Sequence, residues 1–334
     1  MRLRGLLLIL LLLVAAAGGS AWLALTPAPA LEAGPLIVEI PAHQGLMGIA
    51  DRVAETGVVR SRAVFVGVVA LKGSMRRLRA GEYEIPRDAS TLDVVELLES
   101  GRVRQHVVLH PEGASVSELA RVLEGERLAR ADDVVKAAAS ERLRQALGIE
   151  GPSLEGYLFP DTYQFVRGMS VDEMLSRMVQ RMRGKLTTEV QARARELGLS
   201  VHQLLTLASI IEREAVDASE QKLISAVFWN RLRLDMPLQA DPTVQYAVAK
   251  ERRPLTRADL ASENPYNTYV HKGLPPGPIA SPGEGAIAAA LDPAPVKFLY
   301  FVARGPDDRR HYFSTTVAEH NAAVARYRLS RRQL

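Results

Sequence analysis

The sequence of 334 residues contains no cysteine, and only 5% of its residues are aromatic. Without cysteine the chain can form no disulfide bond, no thiolate metal site and no cysteine-linked lipoprotein anchor. Basic residues are not interleaved with aromatic ones in any stripe, which argues against binding of nucleic acid. The formal net charge is only +4. The basic end at 326–332 is therefore interpreted as a solvated tail, with contact to an anionic lipid or polymer as the alternative.

Charged residues are also absent from one long stretch near the N-terminus, the apolar run from Gly5 to Leu25. A helix needs about 20 apolar residues to span a bilayer, so we predict a transmembrane anchor over residues 1–26. Two arginines precede the run and no basic residue follows it directly, which favours a cytoplasmic N-terminus with the remaining chain outside the cytoplasm. The alternative is a signal peptide that is cleaved after small residues such as Ala30.

A short segment rich in proline and alanine, residues 27–35, follows the run and is predicted to be a linker. About 300 residues remain after it, which is enough for two domains with hydrophobic cores. Short β-type and helical patterns alternate in this part of the chain. We therefore predict an α+β fold with a small subdomain over residues 36–110 and a larger mixed α/β domain over residues 111–330.

The small subdomain has a readable order of elements. Its apolar periodicity, capping residues and breakers predict a strand, two helices, an extended segment, a third helix and a strand, at 36–40, 46–53, 64–71, 81–86, 90–101 and 103–109. The leading βααβ part resembles a LysM-type glycan-binding module. The alternative is a folded spacer without a ligand.

The most informative helical segment carries Glu212. On a helix its neighbours are apolar or small and none is a cation: Leu205, Ala208, Ser209, Ala215 and Val216. Burial among such neighbours disfavours the charged carboxylate, so we predict a raised pKa, as a general acid needs. Glu214 lies about 200° further round the helix and cannot share the same site. The alternative is that either glutamate forms an ion pair with a nearby arginine.

Several irregular loops combine proline, glycine and aromatic residues in a way that packing alone seldom requires. They lie at 154–165, 239–243, 264–269 and 273–283. Aromatic faces and carboxylates in rigid loops suit a sugar surface, so we interpret them as walls of a binding groove. Plain surface connections, or for the first loop a plug in the core, are the alternatives. Pro242 is expected to hold Asp241 in an extended or turn conformation.

The Glu212 segment, these loops and one further short segment form six motifs in a fixed order along the chain: Leu154–Tyr163, Ser209–Glu214, Asn230–Leu232, Leu238–Val244, Tyr266–Tyr269 and Gly273–Ile279. The set closely resembles the YceG-like endolytic murein transglycosylases. The resemblance implies a single-pass inner-membrane protein with a periplasmic catalytic domain that cuts within nascent peptidoglycan strands. It also implies that Glu212 matches the catalytic glutamate of the family, and peptidoglycan synthases are the partners that such an activity implies.

In the reaction expected for such an enzyme, Glu212 protonates the glycosidic oxygen and then takes the proton from the C6 hydroxyl of N-acetylmuramic acid. The product is a 1,6-anhydro end, and the chemistry requires neither a metal nor an organic cofactor. The substrate-binding candidates are polar or aromatic residues of the same motifs: Glu155, Tyr157, Glu214, Gln239, Asp241, Thr243, Tyr246, Asn267 and Tyr269. Of these, Asp241 is the strong alternative for a second catalytic carboxylate.

Three other functions compete with this interpretation. A hydrolytic muramidase would use two carboxylates to activate water. A non-catalytic, membrane-anchored scaffold for wall synthesis would explain the anchor but would leave Glu212 and the polar loops without a purpose. A pyridoxal-phosphate lyase would need a Schiff-base lysine in a phosphate-binding site. The candidate lysines lie in no glycine-rich phosphate cradle: Lys222, Lys250, Lys272 and Lys297.

Overall fold

The computed structural model describes residues 2–28, 34–250, 253–305 and 308–330. Most of the predicted linker, including Ala30, and the arginines at 331 and 332 lie outside these ranges. The described residues form helices α1 Arg2–Leu25, α2 Leu46–Glu55, α3 Arg62–Leu71, α4 Thr91–Ser100, α5 Val116–Gly125, α6 Ala131–Ala139, α7 Glu141–Ala146, α8 Val171–Lys185, α9 Thr188–Glu196, α10 Val201–Glu214, α11 Gln221–Arg233, α12 Asp241–Ala247, α13 Arg257–Leu260, α14 Glu284–Leu291 and α15 Val317–Ser330. The strands are β1 Leu36–Ile40, β2 Gly81–Ile85, β3 Gln105–His110, β4 Asp161–Val166, β5 Tyr300–Ala303 and β6 His311–Ser314, paired β1–β2, β3–β4 and β5–β6. The predicted mixture of helices and short strands is confirmed.

The chain divides into two compact units. The first contains the described residues of Met1–Val107 together with Gln164–Met169, and the second contains Val108–Tyr163 with the chain from Ser170 onward. The domain boundary expected between residues 110 and 111 remains a prediction. The first unit also includes the segment 164–169, which comes from a later part of the chain.

The first unit contains the predicted β1–α2–α3–β2 order, and β1 and β2 pair in antiparallel register. Inward-facing residues of both strands pack with α3 and α4, so that Phe65, Tyr83 and Leu98 are fully buried. The start of α4 was predictable because Ser90 and Asp93 form a reciprocal capping box. Its end was equally predictable, since Gly101 adopts the left-handed conformation (φ 65°) that glycine tolerates.

A buried ionic cluster explains why residues 164–169 belong to the first unit. Glu82 is only 3% exposed, and its carboxylate lies 2.6 Å from Nε2 of His106 and 3.1 Å from a guanidinium nitrogen of Arg167. A buried carboxylate is stabilised only when it is paired and hydrogen-bonded. Arg167 therefore fixes its own segment to this unit.

Helix α1 contains the stretch Leu6–Leu25, which is long and apolar enough to cross a membrane and is not buried by other residues. Its C-terminal end contacts other residues of the first unit. The guanidinium of Arg60 lies 5.0 Å from the Trp22 ring, and the Thr91 hydroxyl donates a long hydrogen bond to the Leu23 carbonyl at 3.5 Å. The predicted helical anchor therefore exists as a helix of sufficient length.

Helix α10 lies in the core of the second unit. It begins at a capping box between Ser200 and Gln203, and every residue from Leu204 to Ile211 is buried. A helix that is buried on all sides must pack against several partners, and α10 contacts α9, α11, α12 and α14. Its last turn emerges from this core, and the two glutamates lie there.

Two local predictions were wrong. Asp241 was expected in an extended or turn conformation, but it is the first residue of α12, with Pro242 in the first turn, a position that proline favours. At the C-terminus the sequence pattern predicts a hairpin over residues 297–314 and then a final helix, and these are confirmed as β5, β6 and α15. Glu220, three residues after Asp217, is predicted by the sequence pattern to complete a capping box with it. Its carboxylate instead accepts hydrogen bonds from the backbone and Nδ1 of His311.

Candidate active site

The two glutamates at the end of α10 face different surroundings, as their spacing requires. The Glu212 carboxylate accepts a hydrogen bond from the backbone N–H of Gly283 at 3.1 Å. Burial raises its pKa, the nearby Glu112 carboxylate raises it further, and the Gly283 hydrogen bond opposes both effects. The predicted rise in the pKa of Glu212 is therefore confirmed, and burial is its main cause.

Glu214 lines a polar cavity of about 210 Å³. The cavity walls are formed by residues from α10, α11, α12, α15, β5 and two loops: Glu214, Arg231, Leu238, Gln239, Asp241, Tyr269, Phe301 and His320. Four of the predicted site residues therefore lie together here, namely Glu214, Gln239, Asp241 and Tyr269. Glu212 is not part of this cavity.

The carboxyl group of Glu214 holds its proton tightly. Burial and the neighbouring Asp241 carboxylate raise its pKa to about 8, against the opposing influence of Arg213, Arg231 and a hydrogen bond from the Asp241 backbone. At neutral pH this group is mostly protonated, yet it can release its proton within a small pH range. It can therefore both donate and accept a proton, as acid–base catalysis requires.

Asp241 has a fixed orientation beside Glu214. The Tyr269 hydroxyl donates a short hydrogen bond of 2.6 Å to its Oδ1 atom. Burial raises the pKa of Tyr269, and the hydrogen bond to Asp241 raises it further. Tyr269 therefore remains a hydrogen-bond donor throughout the pH range in which Glu214 titrates.

A buried guanidinium determines the shape of the cavity wall. Arg231 is 7% exposed and donates from Nε to the Leu299 carbonyl and from Nη1 to the Leu238 carbonyl, both at 2.7 Å. These bonds connect α11 to the loop before α12 and to the segment that enters β5. Arg231 lies in one of the six sequence motifs, Asn230–Leu232.

Two predicted binding residues, one in α12 and one in a loop, are buried and do not line the cavity. Thr243 is fully buried and shares hydrogen bonds with the Ala240 carbonyl and the Thr268 hydroxyl. Asn267 is equally buried, and its side chain bonds the backbone of Leu260, Ser262 and Tyr269. Their polar atoms hold the walls in shape.

The remaining predicted residues lie away from the Glu214 cavity. Glu155 is 4% exposed and accepts hydrogen bonds from the Val116 N–H at the start of α5. The Tyr157 hydroxyl lies 2.8 Å from Nδ1 of His202, near the start of α10. Tyr246 packs on Tyr266 with ring centroids 4.9 Å apart.

These elements agree with a known family over most of their length. The sequence profile of the YceG-like family matches residues 38–326. The chain belongs to the YceG-like family. All residues of the Glu214 cavity and all predicted site residues fall within the matched range.

Relatives of this YceG-like protein have assigned names. A Bacillus subtilis protein named endolytic murein transglycosylase is 32% identical over 306 residues, which are 87% of this chain and 84% of that protein. A Streptococcus pneumoniae protein of the same name is 29% identical over 335 residues, and the match covers 91% of this chain and 60% of the longer relative. The crystal structure of a YceG-like protein from Listeria monocytogenes is similar with a TM-score of 0.60 at 32% identity, over 87% of this chain and 99% of that one.

Proposed function

We propose that this chain is an endolytic lytic transglycosylase that cleaves peptidoglycan glycan strands, with Glu214 as its general acid and base. The names of its relatives support the substrate and the reaction. The observation that carries the choice of residue is a glutamate with a pKa of about 8 beside a second carboxylate in a polar cavity. Perturbed carboxyl groups of this kind are concentrated at catalytic sites.

The proposed reaction balances without water. Glu214 donates its proton to the glycosidic oxygen that leaves C1 of N-acetylmuramic acid. The resulting carboxylate takes the proton of the C6 hydroxyl as that oxygen bonds to C1, so a 1,6-anhydro ring forms and Glu214 regains its proton. One residue therefore performs both proton transfers.

We assign Asp241 an electrostatic role in this reaction. Its negative charge keeps Glu214 protonated before the bond breaks, and the same charge stabilises the positive charge that develops on the sugar ring. Tyr269 holds the carboxylate in position through the 2.6 Å hydrogen bond. Gln239 is exposed at the cavity rim, with a left-handed backbone (φ 51°) that turns the loop there, and is assigned to substrate binding.

Glu212, the residue that the family resemblance favoured, is the alternative acid. Its pKa is also raised, but its carboxylate bonds the backbone of Gly283 and lies outside the Glu214 cavity. We propose that Glu212 instead holds the loop that leads into α14. Substituting each glutamate by glutamine, which is nearly isosteric, separates the two assignments by product analysis of purified glycan strands.

The proximity of Asp241 to Glu214 also favours a second candidate, a hydrolytic muramidase in which Asp241 activates water. Reaction in heavy-oxygen water followed by mass spectrometry separates the two chemistries. A transglycosylase yields 1,6-anhydro ends without label, whereas a hydrolase yields reducing ends that carry the label. Labelled ends from the wild-type protein would replace the transglycosylase with a muramidase.

We further propose that α1 anchors the chain in the inner membrane with a cytoplasmic N-terminus and a periplasmic catalytic unit. The 20-residue apolar stretch and the contacts of Trp22 and Leu23 with Arg60 and Thr91 support a retained helix over a cleaved signal. The β1–α2–α3–β2 order supports a LysM-like glycan-binding role for the first unit. Membrane fractionation tests the proposed anchor. A mature protein that becomes soluble on alkaline carbonate extraction would contradict it.

A further inference from the structure

His320 lines the Glu214 cavity but has no part in the reaction steps described above. It belongs to α15, and its imidazole stacks on the Tyr300 ring with centroids 5.2 Å apart and an interplanar angle of 25°. The stack holds the ring in one plane at the cavity wall. A side chain that is held in this way is ready to bind a ligand with little loss of conformational entropy.

The surroundings of His320 determine its protonation state. Burial lowers its pKa below the ordinary 6.5, and the positive charge of Arg231 lowers it further, so the imidazole is neutral at neutral pH. Its Nδ1 atom is buried and has no hydrogen-bond partner among the described residues. In a neutral imidazole one ring nitrogen is a donor and the other an acceptor, and buried N–H groups without a partner are rare, so we assign the single proton to Nε2. Because Nδ1 is enclosed, we take Nε2 as the nitrogen that is available to a ligand.

Two other donors at the cavity are already engaged. The Tyr269 hydroxyl donates to Asp241, and Arg231 directs Nε and Nη1 to backbone carbonyls. Asp241 adds negative charge, whereas the carboxyl group of Glu214 is mostly protonated at neutral pH. The Nε2–H group of His320 therefore supplies a neutral donor in a cavity where acceptors are abundant.

The size of the cavity limits what can occupy it. Its volume of about 210 Å³ is below the roughly 300–1,000 Å³ of pockets for drug-sized ligands. It therefore accepts one sugar ring or one substituent of a longer strand. An acetamido group has an N–H that can donate to a carboxylate and a carbonyl oxygen that can accept from a donor. The cavity wall contains both complementary groups, the Asp241 carboxylate and the His320 donor.

We propose that Nε2–H of His320 donates a hydrogen bond to the acetamido oxygen of an N-acetylhexosamine bound beside Glu214. The inference rests on the proposed function and adds a substrate-binding residue to it. With this hydrogen bond, binding depends on the acetyl group, so the enzyme would discriminate between acetylated and de-N-acetylated strands.

Three substitutions test which atom of His320 matters. His320→Phe keeps a ring for the stack on Tyr300 but removes both nitrogens, His320→Gln places an amide nitrogen near the position of Nε2, and His320→Asn places one near Nδ1. On N-acetylated strands we expect His320→Phe to lower kcat/KM about tenfold, the effect of one hydrogen bond, mainly through KM. His320→Gln should recover most of the loss, and His320→Asn should not. Thermal unfolding of each variant verifies that it is folded.

De-N-acetylated strands provide the matched substrate. There the acetamido oxygen is missing, so His320→Phe and the wild type should have the same kcat/KM within about twofold. An equal loss on both substrates would overturn the proposal, and so would recovery by His320→Asn in place of His320→Gln.

A binding measurement separates this contact from the proposed reaction. Titration calorimetry compares Glu214→Gln with and without His320→Phe for affinity to N-acetylated strands. The second substitution should weaken binding about tenfold, and no change would overturn the contact whether or not the protein turns over. A wild type that binds in this His320-dependent way but releases no anhydro ends would instead contradict the proposed function.

Discussion

The two sides of the last turn of α10 carry the same residue type in different surroundings. Burial raises the pKa of both Glu212 and Glu214. On one side the carboxylate is held by the Gly283 backbone, and on the other it faces a cavity with Asp241 and Tyr269. A raised pKa alone therefore does not identify a catalytic acid. Glu212 also has a carboxylate neighbour, Glu112, so the feature that distinguishes the Glu214 side is open space for a substrate.

Removing the carboxyl proton of each glutamate in turn tests this difference most directly. Glu214→Gln should lower the release of anhydro ends by at least about 100-fold, because general acid–base catalysis contributes roughly 10²–10⁴-fold. Glu212→Gln, the matched control, should retain activity within a few fold. Mass spectrometry of products from purified strands measures both variants. An inactive Glu212 variant with an active Glu214 variant would return the catalytic role to Glu212.

The sequence could not decide between the two glutamates, because helical periodicity describes only the neighbours on the same helix. It correctly predicted a raised pKa for Glu212 from apolar positions such as Leu205 and Ala208. It had no information on Asp241, which raises the pKa of Glu214 from another helix. Contacts between elements far apart in the chain are determined by tertiary packing.

The same distinction applies to the fold. Strand β1 has the predicted bounds Leu36–Ile40 and α4 has the predicted caps, because alternation and capping are local properties. Arg231 and His320 were not assigned to the site, since a buried arginine and a histidine on a terminal helix have no local signal that points to a distant glutamate. The placement of Arg167 beside Glu82 could not be predicted for the same reason.

The neighbouring carboxylate, Asp241, is expected to influence both the pKa of Glu214 and the rate of the reaction. Asp241→Asn removes a negative charge that raises the pKa of Glu214, so that pKa should fall and the alkaline limb of the pH–rate profile should move to lower pH. We expect activity at neutral pH to drop about 10- to 100-fold, with products that still carry anhydro ends. The profile of kcat/KM against pH measures the shift. An unshifted alkaline limb would separate Asp241 from the titration of Glu214.

A smaller effect is expected from the hydroxyl that orients Asp241. Tyr269→Phe removes the 2.6 Å hydrogen bond and leaves the ring in place, so activity should fall about threefold to tenfold. Tyr312→Phe is the matched control, because its ring packs against the Arg326 guanidinium, 4.6 Å away, outside the cavity residues. Steady-state kinetics measures both. Equal losses in the two variants would show that the effect is not specific to Asp241.

The smallest effect concerns stability and requires no substrate. The folded-state pKa of Glu214 is raised from 4.5 to about 8, so between these values the folded protein binds a proton that the unfolded chain has released. The free energy of unfolding therefore falls as pH rises through this range. The stabilisation from the extra proton on Glu214 is fully present only below about pH 4.5. Glu214→Gln cannot titrate and should gain on the wild type by on the order of 1–3 kcal/mol between pH 5 and pH 8. In Tm this is roughly 2–4 °C per kcal/mol for a domain of this size.

Glu212→Gln serves as the control for this measurement, because it removes a carboxyl group from the same turn of α10. Its gain over the same range should have the same sign but be smaller, since the Gly283 hydrogen bond stabilises the charged form of Glu212. Thermal unfolding of the three proteins at several pH values provides the comparison. A Tm difference between Glu214→Gln and the wild type that stays constant with pH would mean that Glu214 titrates normally. The feature that distinguishes it from Glu212 would then be the cavity alone.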